Sequence, residues 1–213
     1  MKREPGTLSR YTAGARINHW VNAIILILLA ISGLALFHPA LYFLTGLFGG
    51  GAKAAFLHPW LGIALIVTFA GLFFRFWRYN IWNRTDTEWM NKIRDVLAAR
   101  DENLPEVGRY NAGQKLVFWI MTIAILCLFL SGLVLWQSPP WDASAITIEQ
   151  KRLAAVVHAS AAVIIICIWI IHLYAAIWVK GTVSAMTKGK VTGGWAWKHH
   201  RKWLREEAAK GHK

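Results

Sequence analysis

Four stretches of the chain, roughly 18–37, 54–77, 114–136 and 151–179, are almost continuously apolar, and each is bounded by charged or turn-forming residues. About 20 apolar residues at ~1.5 Å rise are enough to cross a hydrocarbon core ~30 Å thick, so this pattern predicts four transmembrane helices. The connection after the first carries Gly49-Gly50-Gly51 and that after the third carries Pro139-Pro140, turn chemistry suited to tight links. Between the second and third lies a longer loop, 78–113. Within it Thr87 to Ala99 combines caps, charges and apolar residues in a way that predicts one short surface helix, ended by Pro105. The tail, 180–213, is rich in Trp and basic residues and predicts a short interfacial or cytoplasmic helix, with docking onto a partner subunit as the rival. No fixed-period repeat stands out. The first apolar run outlasts a signal-peptide core and lacks a small-residue cleavage site, so it is expected to remain as an anchor. The fold class expected is an all-α integral membrane four-helix bundle forming one membrane domain, 1–213.

Composition agrees with that pattern. Of 213 residues 56% are hydrophobic, too many for a soluble domain of this size. The net charge of +13 would suit nucleic acid, but 21 of the 24 Lys and Arg fall in the N-terminal arm, the segment from Arg75 to Lys115 and the tail. Such an asymmetry follows the positive-inside rule, which puts both termini, loop 78–113 and tail 180–213 on the cytoplasmic side and the two short links outside. It leaves no separate basic domain for nucleic acid. Cys127 and Cys167 are the only cysteines, both in apolar runs. They exclude a disulfide framework and a cysteine-held metal site and are expected to pack. The lack of a CxxCH motif means that any haem would be held non-covalently.

The chemistry inside the apolar runs is histidine. Ionisable residues in a bilayer are costly enough to be functional candidates by default. In the fourth segment His158 and His172 are fourteen residues apart, which places them ~21 Å apart on nearly the same helix face. The predicted topology sets His58 at the depth of His158 near the outer side, and His19 at the depth of His172 near the inner side. Two imidazoles from different helices at one depth are what a six-coordinate b-type haem needs, and closed axial positions favour electron transfer. Four residues beyond these histidines come Ala23, Gly62, Ala162 and Ala176, small side chains that would leave clearance for a flat ring. His38 is followed at that spacing by Tyr42 and is set aside; His199, His200 and His212 read as solvated tail residues. Pro59 fits the first turn of a helix. The rival reading is that the four histidines hydrogen-bond between helices or carry protons in a haem-free transporter or proton-conducting protein.

The stretch Val107 to Lys115 enters the third segment at the inner interface. Asn111, Gln114 and free backbone N–H groups could donate to a quinone carbonyl, or could form an ordinary helix cap. Here the chain resembles a known family. Arg16-Ile17-Asn18-His19-Trp20, Leu57-His58-Pro59, Gly108 to Lys115, the His158 and His172 segment, Trp178 to Thr182 and the tail Lys198 to Trp203 are similar to the cytochrome b (gamma) subunits of bacterial respiratory formate dehydrogenases. His38, the triple glycine and Arg201-Lys202 depart from that pattern.

The resemblance implies a multi-pass subunit of the bacterial inner membrane with two haem b groups. His58 and His158 would ligate the outer haem iron, and His19 and His172 the inner one. Asn111, Gly113, Gln114 and His172 would form a site for menaquinone or ubiquinone. Formate would be oxidised elsewhere, on a molybdenum or tungsten catalytic (alpha) subunit outside the membrane. Electrons would arrive through an iron-sulfur (beta) subunit, for which Trp141 and Arg152 are candidate contacts, and the heterotrimer could assemble further. The alternatives are the cytochrome b of a nickel-iron hydrogenase or of another oxidoreductase.

Overall fold

A computed structural model describes residues 6–98, 100–136 and 139–211. Its four long helices are α1 (Ala13–Phe37), α2 (Gly51–Phe76), α5 (Ala112–Leu135) and α6 (Ile148–Trp178). Each is long and apolar enough to span a membrane. They begin two to five residues before the apolar runs, and α1, α5 and α6 are capped by polar residues just upstream. Thr12 accepts from the Ala15 N–H through its hydroxyl (3.3 Å). Thr147 and Gln150 bond each other's backbone N–H across the first turn of α6 (2.8 and 3.3 Å), a capping box. The earlier start of α2 puts Pro59 inside the helix, past the first turn where the sequence suggested it. Its ring therefore removes an interior backbone bond. The first short link is a 3-10 helix, Pro39–Phe48, closed by Gly49 and Gly50 at φ 84° and 105°, backbone that only glycine adopts readily.

Loop 78–113 holds two short helices where one was expected, α3 (Arg84–Asn91) and α4 (Ile93–Leu97), and Ala99 lies outside the described residues. The break comes at Lys92, whose N–H bonds back to Trp89 and whose ammonium bonds the Asn103 carbonyl. Asn83 and Asp86 cap α3 reciprocally. The tail carries α7 (Thr182–Thr187), α8 (Gly193–His199) and α9 (Arg201–Gly211). It also carries a strand the apolar pattern did not foretell, β2 (Lys190–Thr192), paired antiparallel with β1 (Thr7–Ser9) of the N-terminal arm, Leu8 opposite Val191.

Contacts divide the chain into two compact units. One comprises the described parts of 1–16, 74–119 and 171–213. Its cores are Ala185, Val191, Trp195, Ala196 and Trp203 in one cluster and Trp89, Val107 and Ala112 in another. The other comprises 17–73 and 120–170, the middle and one end of the long helices, around Leu26, Leu65, Ala124, Ile125 and Ile165. Polar side chains within this second core are satisfied locally: Asn22 bonds Asn18 (2.8 Å) and Thr68 bonds both Asn22 (3.3 Å) and the Ala64 carbonyl (2.8 Å). Of the two cysteines Cys127 is half-buried and Cys167 exposed.

Candidate functional site

Within the second unit, α2 and α6 bring the rings of His58 and His158 together near the N-terminal ends of the two helices. The ring centroids are 6.2 Å apart and the planes lie at 62° to one another. A metal-bound imidazole nitrogen lies about 2.0–2.1 Å from a first-row ion and its ring centre about 1.1 Å beyond, so rings on opposite sides of one ion have centroids about 6.3 Å apart. The spacing thus fits a single iron with imidazole on both axial positions. Among the described residues no cluster of three or more His, Cys, Asp or Glu could cage a metal ion, which leaves paired ligation as the fit. Gly62, one turn along α2 from His58, adds clearance, since a Cβ there would meet nothing within 4 Å.

The far side of each ring is held by a neighbouring helix. Ser32 Oγ of α1 lies 2.7 Å from His58 Nδ1, and Ser131 Oγ of α5 lies 3.0 Å from His158 Nδ1. The next residue in each case is glycine. A Cβ on Gly33 would stand 3.2 Å from His58 Cε1, and one on Gly132 would stand 3.3 Å from His158 Cε1. These four residues escaped the reading of the sequence, although a signal was there: Ser-Gly-Leu recurs late in the first and third apolar runs, at Ser32-Gly33-Leu34 and Ser131-Gly132-Leu133.

His19, on the part of α1 in the second unit, is half-buried and stands edge-on to Trp20 at 5.6 Å. His172, on the part of α6 in the first unit, is exposed. Their pairing remains the expectation drawn from the sequence. His38 caps the 3-10 helix, its Nδ1 accepting from the Ala40 N–H (3.2 Å). Trp141 is exposed and packs edge-on to Trp136 at 5.3 Å, while Arg152 is exposed on α6.

In the first unit the start of α5 is a reciprocal cap. Asn111 Oδ1 accepts from the Gln114 N–H (2.9 Å) and Gln114 Oε1 accepts from the Asn111 N–H (3.0 Å). The cap uses the two side-chain oxygens and leaves each amide nitrogen as a donor. Gly113 is needed for close packing, because a Cβ would lie 3.3 Å from the Trp89 ring. One turn on, Lys115 is buried and bonds Asp86 (2.7 Å) and the Ile81 carbonyl (3.0 Å). A cleft of about 250 Å³ opens beside this pair, lined among others by Tyr79, Arg109, Tyr110 and Lys202. Such a charged lining suits water better than an apolar ring.

His200 corrects the sequence reading of a solvated tail. It is 1% exposed, and its Nδ1 donates to the Gly108 carbonyl at 2.9 Å. Burial pushes its pKa down to about 3, and the nearby Arg10 guanidinium adds to the shift. Arg10 is itself buried, with the Trp203 and Trp195 ring centres 4.4 and 5.4 Å from its guanidinium carbon, and the guanidinium groups of Arg10 and Arg109 each donate to the other residue's backbone carbonyl. His199 is half-buried, and His212 lies outside the described residues.

The profile of the prokaryotic cytochrome b561 family matches residues 10–189. Over 97% of its length the chain is 43% identical to the formate dehydrogenase cytochrome b556(fdo) subunit of Escherichia coli, of which it covers 95%. It is 39% identical over 90% to the nitrate-inducible formate dehydrogenase cytochrome b556(Fdn) subunit of the same bacterium, covering 87%. With the formate dehydrogenase cytochrome b556 subunit of Haemophilus influenzae it shares 32% over 93%, covering 82%.

Proposed function

The chain belongs to the prokaryotic cytochrome b561 family, and from that membership we propose that it is the di-haem subunit of a formate dehydrogenase, carrying electrons across the bacterial inner membrane to a quinone. Its relatives are named as cytochrome b556 subunits of formate dehydrogenases, and on this reading an iron-sulfur and a catalytic subunit are the partners that deliver electrons to it. The observation that carries the reading is the pair of imidazoles 6.2 Å apart, His58 and His158, backed by polar groups on the far side of each ring.

His58 and His158 hold one haem b and His19 and His172 the other, the second pair following from matched depth and from the resemblance. When bound, these groups supply one-electron redox chemistry. With two histidines holding each iron, no position would be left open to oxygen and electron transfer would be favoured. The helices exclude water around them, and α6 sets the two sites ~21 Å apart along one face. At the other end of the span Asn111 and Gln114 bind a quinone carbonyl through the amide nitrogens that the helix cap leaves over, with Gly113 and His172 beside them. The charged cleft at Lys115 and Asp86 gives water, and hence protons, access to that end.

With the basic arm, loop and tail on the cytoplasmic side, electrons enter at the His58 end and leave at the Asn111 end. Moving one charge against ~100 mV costs ~2.3 kcal/mol, which formate oxidation on the partner supplies.

Purified in its complex, the protein is expected to show b-type absorption bands with two haems per chain by pyridine haemochrome assay, reduced on addition of formate. A His58→Ala variant should keep one. A complex without b-type bands overturns the reading, whereas reduction by hydrogen and not formate would reassign the donor to a hydrogenase.

A further inference from the structure

We infer that Ser32 and Ser131 are positioning residues that fix the tautomer of His58 and His158 and tune the potential of the iron between them; this rests on the reading of those histidines as axial ligands. Each serine hydroxyl has one proton and three candidate partners, two carbonyls of its own helix and a histidine nitrogen. Ser32 Oγ lies 2.8 Å from the Leu28 carbonyl and 2.7 Å from His58 Nδ1, and Ser131 Oγ lies 2.6 Å from the Cys127 carbonyl and 3.0 Å from His158 Nδ1. With Nε2 taken as the nitrogen that binds iron, Nδ1 keeps its proton, and the hydroxyl proton goes to the carbonyl, which can only accept. The serine oxygen is then left to accept, and the proton on that bond belongs to Nδ1.

A proton on Nδ1 leaves Nε2 with its lone pair, the form in which an imidazole binds a metal. Both serines are buried and take no water in place of the ring, Ser32 at 0% and Ser131 at 6% exposure. The glycine after each lets the ring edge lie against the helix backbone, since a Cβ there would come within 3.2 or 3.3 Å of Cε1. The two clamps are built alike. Ser32 is nineteen residues on from Ala13 at the start of α1, and Ser131 nineteen on from Ala112 at the start of α5. A serine that merely back-bonds its own helix has no need of a histidine from another helix at hydrogen-bond distance, and here that arrangement occurs twice at one site.

An acceptor on Nδ1–H makes the imidazole a stronger donor, which stabilises oxidised iron and lowers the potential. Ser32→Ala, Ser131→Ala and the double variant, each purified in the complex, should keep two haems per chain. One of the two midpoint potentials should rise, by up to a tenfold change in the ratio of reduced to oxidised iron or about 59 mV for one electron, and furthest in the double variant. The other potential should not move. If either single alanine variant instead loses a haem, threonine at the same position, Ser32→Thr or Ser131→Thr, which restores a hydroxyl, must recover it with the original potential. Two unchanged potentials in a haem-replete double variant overturn the inference, as does failure of that rescue. Retention of both haems by His58→Ala would sink the ligand assignment itself, a result separate from either.

Discussion

At the scale of single residues, burial reverses what composition suggests. His200 sits in a basic, aromatic tail that reads as solvated, yet its ring is enclosed by Trp195 at 4.9 Å between centroids and anchored on Gly108. Because its pKa is pushed down to about 3, folding favours the neutral ring. The stability it contributes is complete above the unfolded value near 6.5 and is lost as pH falls from there toward 3, by about 1.4 kcal/mol per unit. Limited proteolysis of the tail should therefore accelerate between pH 7 and 5. In His200→Asn, whose amide nitrogen can keep the Gly108 bond without titrating, that acceleration should disappear; a tail equally sensitive to acid in both proteins would show that another group is responsible.

Elements here do two jobs at once. The start of α5 is an ordinary capping box by its oxygens and a candidate quinone contact by its nitrogens. An alanine at Asn111 would remove both, costing about 1 kcal/mol of helix stability and confusing the two roles. Asn111→Asp keeps the capping oxygen and removes only the amide donor. It is expected to leave haem content and thermal stability unchanged while quinone reduction by formate falls severalfold; full turnover would take Asn111 out of the site. The rival roles of Asn111 and Gln114 were both visible in the sequence, because a cap is local and the same residue types serve a carbonyl ligand. The Ser-Gly clamps on α1 and α5 were harder to read. Serine in an apolar helix commonly bonds its own backbone, and only the packing of α2 and α6 brings a histidine ring to each hydroxyl.

For the molecule as a whole, the N-terminal arm and the tail form one small folded body through β1 and β2. Leu8 and Tyr11 pack on the cluster of Val191, Trp195 and Trp203, and Arg10 lies among the tail's aromatic rings. Removing residues 1–9 should speed backbone hydrogen exchange across 190–204 while leaving the four spans protected; unchanged exchange in that region would mean that the strand pairing contributes little. The four membrane helices, the histidines they carry and the spacing of His158 from His172 were legible in the order of residues. Those depend on transfer of apolar side chains and on the regular rise of a helix, both local along the chain. Tertiary structure alone decided that Ser32 and Ser131 back the facing imidazoles, that an arm and a tail at opposite ends of the chain share a sheet, and that His200 is buried. Each of these is a contact between residues far apart in sequence, set by how side chains fill space once the helices pack, and no periodicity or composition encodes it.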